Sequence, residues 1–311
     1  MIELNLQGVR DTLGKYSFPV DVIVEVTRYC NLACIMCPYP NLKRSKGHMS
    51  FDIFQKIVDE VSRENPETRV WLAIMGEPLM LGNELIEYIS YAKAQGIKEV
   101  CLNTNGNLLN EEIALRLLKS GVDKILVSID AFSQESYEKI RINGNFSQVY
   151  RNVERLLEMK RDLKVKKTEI ITQFIVMEEN ENEVDFFKEF WLARGAVVKV
   201  RPKLGWGDAV TSSVLDKVYE NTERFPCAWL TRTVSIHWDG SFSQCDADYE
   251  GLYSPGHLDK STIKDVWENE LKIRRKKHWE GDFDFQPCKN CKDWLAGRSV
   301  FYRPEDVEGK K

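Results

Sequence analysis

Three cysteines fall within eight residues at Cys30, Cys34 and Cys37, in CNLACIMC, at the spacing C-x3-C-x2-C. Thiolates are ligands for zinc and for iron–sulfur clusters. Three are one short of a closed tetrahedral zinc site; His48, in GHMS, is the nearby residue that could add a fourth ligand, if it is more than a loop histidine. Three thiolates also suit a cubane 4Fe–4S cluster, which then keeps one iron free for a further ligand. Four more cysteines lie downstream: Cys227, Cys245, and the pair Cys288 and Cys291 in PCKNC. Four thiols can close a zinc site or an iron–sulfur cluster with no position left over. Cys101 stands alone in an apolar run and reads as a buried, inert thiol.

The elements that must position these residues follow from periodicity. Apolar, β-branched runs at 22–26, 70–74, 99–103, 124–129, 169–177 and 196–200 alternate with segments of helical spacing such as FDIFQKIVDEVS and QVYRNVERLLEMK. Asn110 and Asn180 stand where helix N-caps belong, with Glu183 three residues after Asn180 as in a capping box. Gly96, Gly121 and Gly195 fall where helices stop. Six strands alternating with helices make a parallel α/β sheet, curled or open. Such folds collect their chemistry at the C-terminal ends of the strands. The first cysteine motif comes directly after the first strand.

The alternation stops near residue 205. Beyond it, TVSIHWDGSFSQC reads as a hairpin turning at Asp239–Gly240, and two amphipathic segments, STIKDVWENE and ELKIRRKKHWE, lead to the last cysteine pair. The chain thus divides into an N-terminal arm (1–19), an α/β core (20–205), a small cysteine-bearing region (206–301) and a tail (302–311). A region as small as the third commonly needs a metal to fold. Hydrophobic residues make up 43% and charged residues 30%, an ordinary globular balance. A net charge of −4 argues against a nucleic-acid partner, because phosphates need a basic surface. No apolar stretch approaches the roughly 18 residues of a membrane span, and no basic-then-apolar signal opens the chain. A cytoplasmic protein follows, with cysteines serving metals rather than disulfides.

Taken in order along the chain, these motifs resemble the radical S-adenosylmethionine (radical SAM) superfamily. The resemblance implies a partial (β/α)6 TIM-like barrel, a 4Fe–4S cluster on Cys30, Cys34 and Cys37, and SAM at the free iron. MGEP, with Gly76 and Glu77, matches the glycine-glutamate loop that meets the SAM amino group; a carboxylate accepts charge-assisted hydrogen bonds from an ammonium. Asn103 and Asn105, in NTNG, match a polar turn near the cofactor. Ser128 and Asp130, in SID, match positions lining the SAM carboxylate and ribose, and Arg141, in KIRINGNF, matches the arginine that pairs with that carboxylate. Two positions depart from the pattern. Met36 precedes the third cysteine, at a cofactor-contacting position that is often aromatic, and Met75 replaces a second glycine; both act through backbone or packing.

The downstream cysteines resemble the "twitch" domain, a shortened form of the SPASM domain. This implies one auxiliary 4Fe–4S cluster held by Cys227, Cys245, Cys288 and Cys291, with a four-cysteine zinc site as the alternative. In this family one electron cleaves SAM to methionine and a 5′-deoxyadenosyl radical, which takes hydrogen from an unactivated C–H. The twitch spacing is similar to that of radical SAM aminocyclitol dehydrogenases, which oxidise a secondary alcohol to a ketone. Arg201, in VKVRPK, then falls where the substrate hydroxyl is faced, as a hydrogen-bonding group first and a base second, with Lys203 sharing the role. The resemblance implies a small carbohydrate- or aminocyclitol-like substrate and a reducing partner such as flavodoxin or ferredoxin. An epimerase and a peptide-modifying enzyme are the alternatives, the latter disfavoured because the short arm has no room for a peptide-recognition domain. Trp206 and Trp229 read as packing between the two regions.

Overall fold

The six apolar runs form six parallel strands: β1 (Asp21–Val24), β2 (Arg69–Leu72), β3 (Val100–Thr104), β4 (Lys124–Ser128), β5 (Glu169–Val176) and β6 (Val197–Pro202). The computed structural model of the chain describes residues 16–220, 222–295 and 299–308, so most of the 1–19 arm and the last three residues of the tail lie outside the described residues. Between the strands run α1 (Phe51–Glu64), α2 (Asn83–Ala94), α3 (Glu111–Ser120), α4 (Gln134–Ile140), α5 (Phe146–Asp162) and α6 (Val184–Ala193). Strand residues alternate between two faces. Val22, Val24, Val70, Leu72, Ile125 and Val127 pack under the helices in the main core. Trp71, Leu126, Ile171 and Val197 meet on the other face, which curls the sheet until β2 and β6 share one inner cluster.

Local chemistry starts and stops the helices much as the sequence implies. The Asn110 side chain accepts from Ile113 N–H at 2.9 Å to cap α3. Gly121 then ends α3 at φ +85°, a left-handed conformation that a side chain resists. The capping box expected at Asn180 and Glu183 does not form. Asn180 is buried, and its amide donates instead to the carbonyls of Asp130 (2.7 Å) and Ile175 (2.8 Å), because a buried amide must satisfy its own donors first. Glu183 turns to the next strand end, accepting from Phe132 N–H at 2.6 Å and from the Ser133 and Ser136 hydroxyls.

The predicted hairpin forms between β7 (Thr233–Ile236) and β8 (Phe242–Ser243), with Gly240 at φ +89°. It also joins the main sheet. β7 lies parallel to β1, pairing Asp21 with Thr233 and Val24 with Ile236. At the far edge β9 (Val300–Tyr302) runs antiparallel to β6. The sheet order is therefore β8-β7-β1-β2-β3-β4-β5-β6-β9. Five further helices, α7 (Ser213–Glu220), α8 (Ala228–Arg232), α9 (Ile263–Glu268), α10 (Glu270–Trp279) and the short α11 (Glu305–Glu308), follow β6 among the described residues. Buried Glu60 of α1 accepts the Ile263 and Lys264 N–H groups at 2.8 Å each, tying the start of α9 to the core. Among the described residues no helix is long and apolar enough to cross a membrane.

Candidate functional site

The loop after β1 carries Cys30, Cys34 and Cys37, and it is pinned from several sides. Ala33 N–H donates to Ile142 O at 3.1 Å and Ile35 N–H to Ile140 O at 3.0 Å, fixing the loop to the end of α4. Cys30 N–H donates to the Tyr39 hydroxyl at 2.9 Å. Leu32, Met36, Ile140, Ile175 and Met177 wall the thiols with apolar surface. Burial pushes Cys30 and Cys37 up to about 12 and also raises Cys34, so these thiols keep their protons until a metal displaces them. His48 stands apart, its backbone paired with Thr27 and its ring 4.8 Å from that of Tyr29.

The loops after β2, β3 and β4 close around this motif. Gly76, at φ +82°, lies so near the cysteine loop that an added Cβ would stand 2.0 Å from the Thr27 carbonyl oxygen. Beside it Met75 Sδ lies 3.9 Å from Cys37 Sγ. Glu77 is 2% exposed, and its carboxylate accepts from Thr104 O–H (2.7 Å), Asn105 N–H (2.7 Å) and Leu79 N–H (3.0 Å). Burial raises its pKa against these donors. Glu77 thus binds the second loop to the third, with room on its oxygens for one more donor. The Asn105 side chain donates to Asn31 Oδ1 at 2.8 Å, reaching back between two of the cysteines. Asp130 is fully buried at φ +64°, ion-paired with Arg141 and accepting from Ile175 N–H at 2.8 Å. Arg141 Nη1 also lies 3.7 Å from Cys34 Sγ, while its Nε is buried with no acceptor. Although burial opposes it, the charge of Asp130 raises the Arg141 pKa further.

Deeper along the inner face runs a polar chain across four strands. The Ser128 hydroxyl donates to Asn103 Oδ1 (3.1 Å), Gln173 Nε2 to Ser128 Oγ (3.0 Å) and Arg201 Nε to Gln173 Oε1 (3.2 Å). Gln173 is absent from the sequence expectations. A lone amide inside EIITQFIVM was the signal for it, because a buried glutamine needs polar company. Lys203 is buried just past the end of β6, where its charge acts on Glu178.

The second thiol set gathers Cys227, Cys245, Cys288 and Cys291, whose charges act on one another and whose pKa values burial raises. Gln244 Nε2 donates to Cys288 Sγ at 3.1 Å and Asp293 N–H to Cys291 Sγ at 3.3 Å. Asp246, next to Cys245, accepts from the Ser235 hydroxyl at 2.9 Å and stands in the field of Arg201. Trp206 Nε1 donates to the Met36 carbonyl at 3.0 Å, joining this region to the cysteine loop. Met36 itself is buried in the apolar wall.

Among the described residues no three His, Cys, Asp or Glu side chains converge on a single-ion site. A cubane does not ask for that, because it spreads its thiolates over separate irons. All eight cysteines are free of disulfides. One buried and two half-buried thiols whose charges act on one another, beside an unpartnered guanidinium Nε, fit a 4Fe–4S cluster with an anionic ligand next to it. The four downstream thiols, two of them already receiving N–H donors, fit an iron–sulfur cluster as well.

The family description Radical SAM superfamily matches residues 24–190, more than half of the chain, and an iron–sulfur cluster-binding domain, SPASM, matches residues 227–292. The chain is 32% identical over 178 residues to a protein described as a probable GTP 3′,8-cyclase of Methanococcus maripaludis, a match covering 57% of each. It is 31% identical over 138 residues to the mycofactocin maturase MftC of Mycobacterium ulcerans, covering 44% of this chain and 36% of MftC. The chain thus spans little more than half the length of the first of these relatives and less of the second. Among solved structures, BtrN in complex with AdoMet and 2-DOIA superposes with a TM-score of 0.61 at 18% identity, covering 88% of this chain and 92% of BtrN. Streptococcus suis SuiB bound to the precursor peptide SuiA gives 0.66 at 13% identity, covering 92% and 72%. At such identities the likeness is one of fold.

Proposed function

This chain belongs to the radical SAM superfamily, and on that premise we propose that it oxidises a secondary alcohol of a small, polar, carbohydrate-like substrate to a ketone. Bound SAM and a cluster on Cys30, Cys34 and Cys37 supply the hydrogen-abstracting radical, and an iron–sulfur group on Cys227, Cys245, Cys288 and Cys291 supplies an acceptor for the electron that a two-electron oxidation must shed. The substrate gives up a hydrogen atom from carbon, then a hydroxyl proton and one electron, leaving C=O. One electron enters from a donor such as flavodoxin or ferredoxin and one leaves, so the sum is balanced.

The chain's own residues position these events. Arg141, held by Asp130, keeps its Nε for the SAM carboxylate. Glu77 fixes the loops that flank the SAM amino group. Arg201, oriented by Gln173, offers N–H donors to the substrate oxygen; a cation there favours the oxygen as negative charge gathers on it. The apolar wall of Leu32, Ile140 and Ile175 keeps water from a reactive carbon radical.

One observation carries the reading: a complete four-thiol set sits one residue from Asp246, in the same electrostatic neighbourhood as Arg201. A fully ligated cluster offers no iron to substrate, and electron transfer is what remains for it. The likeness to MftC and SuiB supports a second reading, with a peptide as the molecule oxidised. Reconstituted enzyme would be given SAM, a reductant and candidate alcohols deuterated at the carbinol carbon. One deuterated 5′-deoxyadenosine per ketone is expected. An inverted carbinol carrying solvent hydrogen, with no ketone, would replace this reading with an epimerase.

A further inference from the structure

The inner face of the barrel holds several cations, and most are neutralised. Arg69 pairs with Asp21 at 2.6 Å, Lys124 with Glu99 at 2.7 Å, and Arg141 with Asp130. Lys199 and Arg201 differ. They sit two residues apart on β6, so both point to the same side of the sheet. Among the described residues neither has an ion-pair partner. Arg201 donates only to neutral acceptors, Gln173 Oε1 at 3.2 Å and Pro202 O at 3.3 Å. The carboxylates within its field are each engaged elsewhere. Asp130 holds Arg141, Asp246 accepts from Ser235, and Asp293 accepts from the N–H groups of Gly205 and Gly207.

Two cations side by side without counter-charge are costly. Burial, then the charge of Arg201, pushes Lys199 down to about 7, and burial lowers Arg201 as well. The register sets Lys199 across from Gln173 on one side and from Phe301 of β9 on the other. Phe301 is 47% exposed and its ring centroid lies 5.9 Å from the Lys199 amine, so an aromatic face and not a carboxylate meets that cation.

We propose that Lys199 and Arg201 form a subsite for an anionic group of the substrate, a carboxylate or a phosphate. The reasoning deepens the proposed alcohol oxidation and rests on it for the identity of the reacting molecule. It narrows the substrate class in one respect. An aminocyclitol carries an ammonium at neutral pH and would meet two unpaired cations of its own sign, whereas a sugar acid or sugar phosphate supplies the missing counter-charge. Strand geometry spaces the two side chains by about 7 Å, a span that one phosphate or carboxylate can bridge with two long side chains.

Calorimetry on the reconstituted, SAM-loaded protein tests this with four probes of one shape: glucose, glucosamine, gluconate and glucose 6-phosphate. At least one anion should bind about tenfold or more tightly than glucose, and glucosamine more weakly; the stronger of the two anions tells carboxylate from phosphate. Lys199→Met should remove about tenfold of the anion affinity while leaving glucose unchanged, and Lys199→Arg should retain most of it. Because Lys199→Met deletes an unpaired charge, its melting temperature should hold or rise, which separates lost binding from lost folding. Equal binding of all four probes, no binding of either anion, or an unaffected Lys199→Met variant overturns the subsite. A ketone formed from an anionic alcohol with Lys199→Met as active as the wild type would sink the subsite and leave the proposed oxidation standing. Anion binding lost in Lys199→Met, with no ketone from any alcohol, would do the reverse.

Discussion

The first cysteine set lies on one continuous loop, 30–37, held in shape by contacts from outside it: Ile140 at the end of α4 and Ile142 beyond it, Tyr39, Arg141 and Trp206. The second set is drawn from three separate points between residues 227 and 291 and carries its own donors, Gln244 Nε2 to Cys288 and Asp293 N–H to Cys291. The contrast teaches what each is for. A loop with three thiols, a backbone approach at Gly76 and an unfilled donor on Arg141 is built to receive something beside the metal. A four-thiol set that receives protein donors would be complete without a guest, and those donors would tune the potential of a cluster held there.

The largest effect that could break this contrast comes from removing the loop thiols. Cys30→Ala/Cys34→Ala/Cys37→Ala should take iron from about eight to about four per chain and abolish SAM cleavage, read by iron assay and 5′-deoxyadenosine formation. Zinc in place of the remaining iron would dissolve the comparison.

Arg141→Met comes next. It leaves Asp130 buried and unpaired, so stability should fall by about 3–5 kcal/mol in denaturant titration, with SAM binding weakened in calorimetry. Unchanged stability would show that the pair does not hold the site together.

A smaller effect concerns the seam between the regions. Burial, then the charge of Arg44, pushes His237 down to about 3, while an unfolded histidine titrates near its ordinary value of about 6.5. Folding stability is therefore complete above about pH 6.5 and declines as pH falls toward 3, by about 1.4 kcal/mol per unit from this group. His237→Asn should flatten the slope between about pH 6 and pH 5, measured by urea unfolding. The smallest expected change is Trp206→Phe, which loses the donor to Met36 O and about 1 kcal/mol, with SAM affinity falling more than binding at the second set.

How much of this was legible beforehand varied with the kind of signal. All six parallel strands could be read because each run is rich in apolar and β-branched residues and is set off by segments of helical spacing. The hairpin at Asp239–Gly240 was equally plain, but its partner was not. Nothing in TVSI says that it will lie beside β1, since long-range pairing leaves no local mark. The cysteines and the loop residues Gly76, Glu77, Asp130 and Arg141 stood out by order along the chain. Asn180 misled, because a cap and a buried loop amide look the same in one dimension. Gln173 and Lys199 were passed over, although each is a polar residue interrupting an apolar strand at the spacing of the inner face.

The distinction between an open and a closed cluster is tested most directly by electron paramagnetic resonance of the reduced protein, with and without SAM, for the wild type and the triple loop variant. Two cluster signals are expected in the wild type, one of which shifts when SAM is added, and the single signal left in the variant should ignore SAM. A signal in the triple variant that shifts with SAM would contradict the account, because the open iron would then belong to Cys227, Cys245, Cys288 and Cys291.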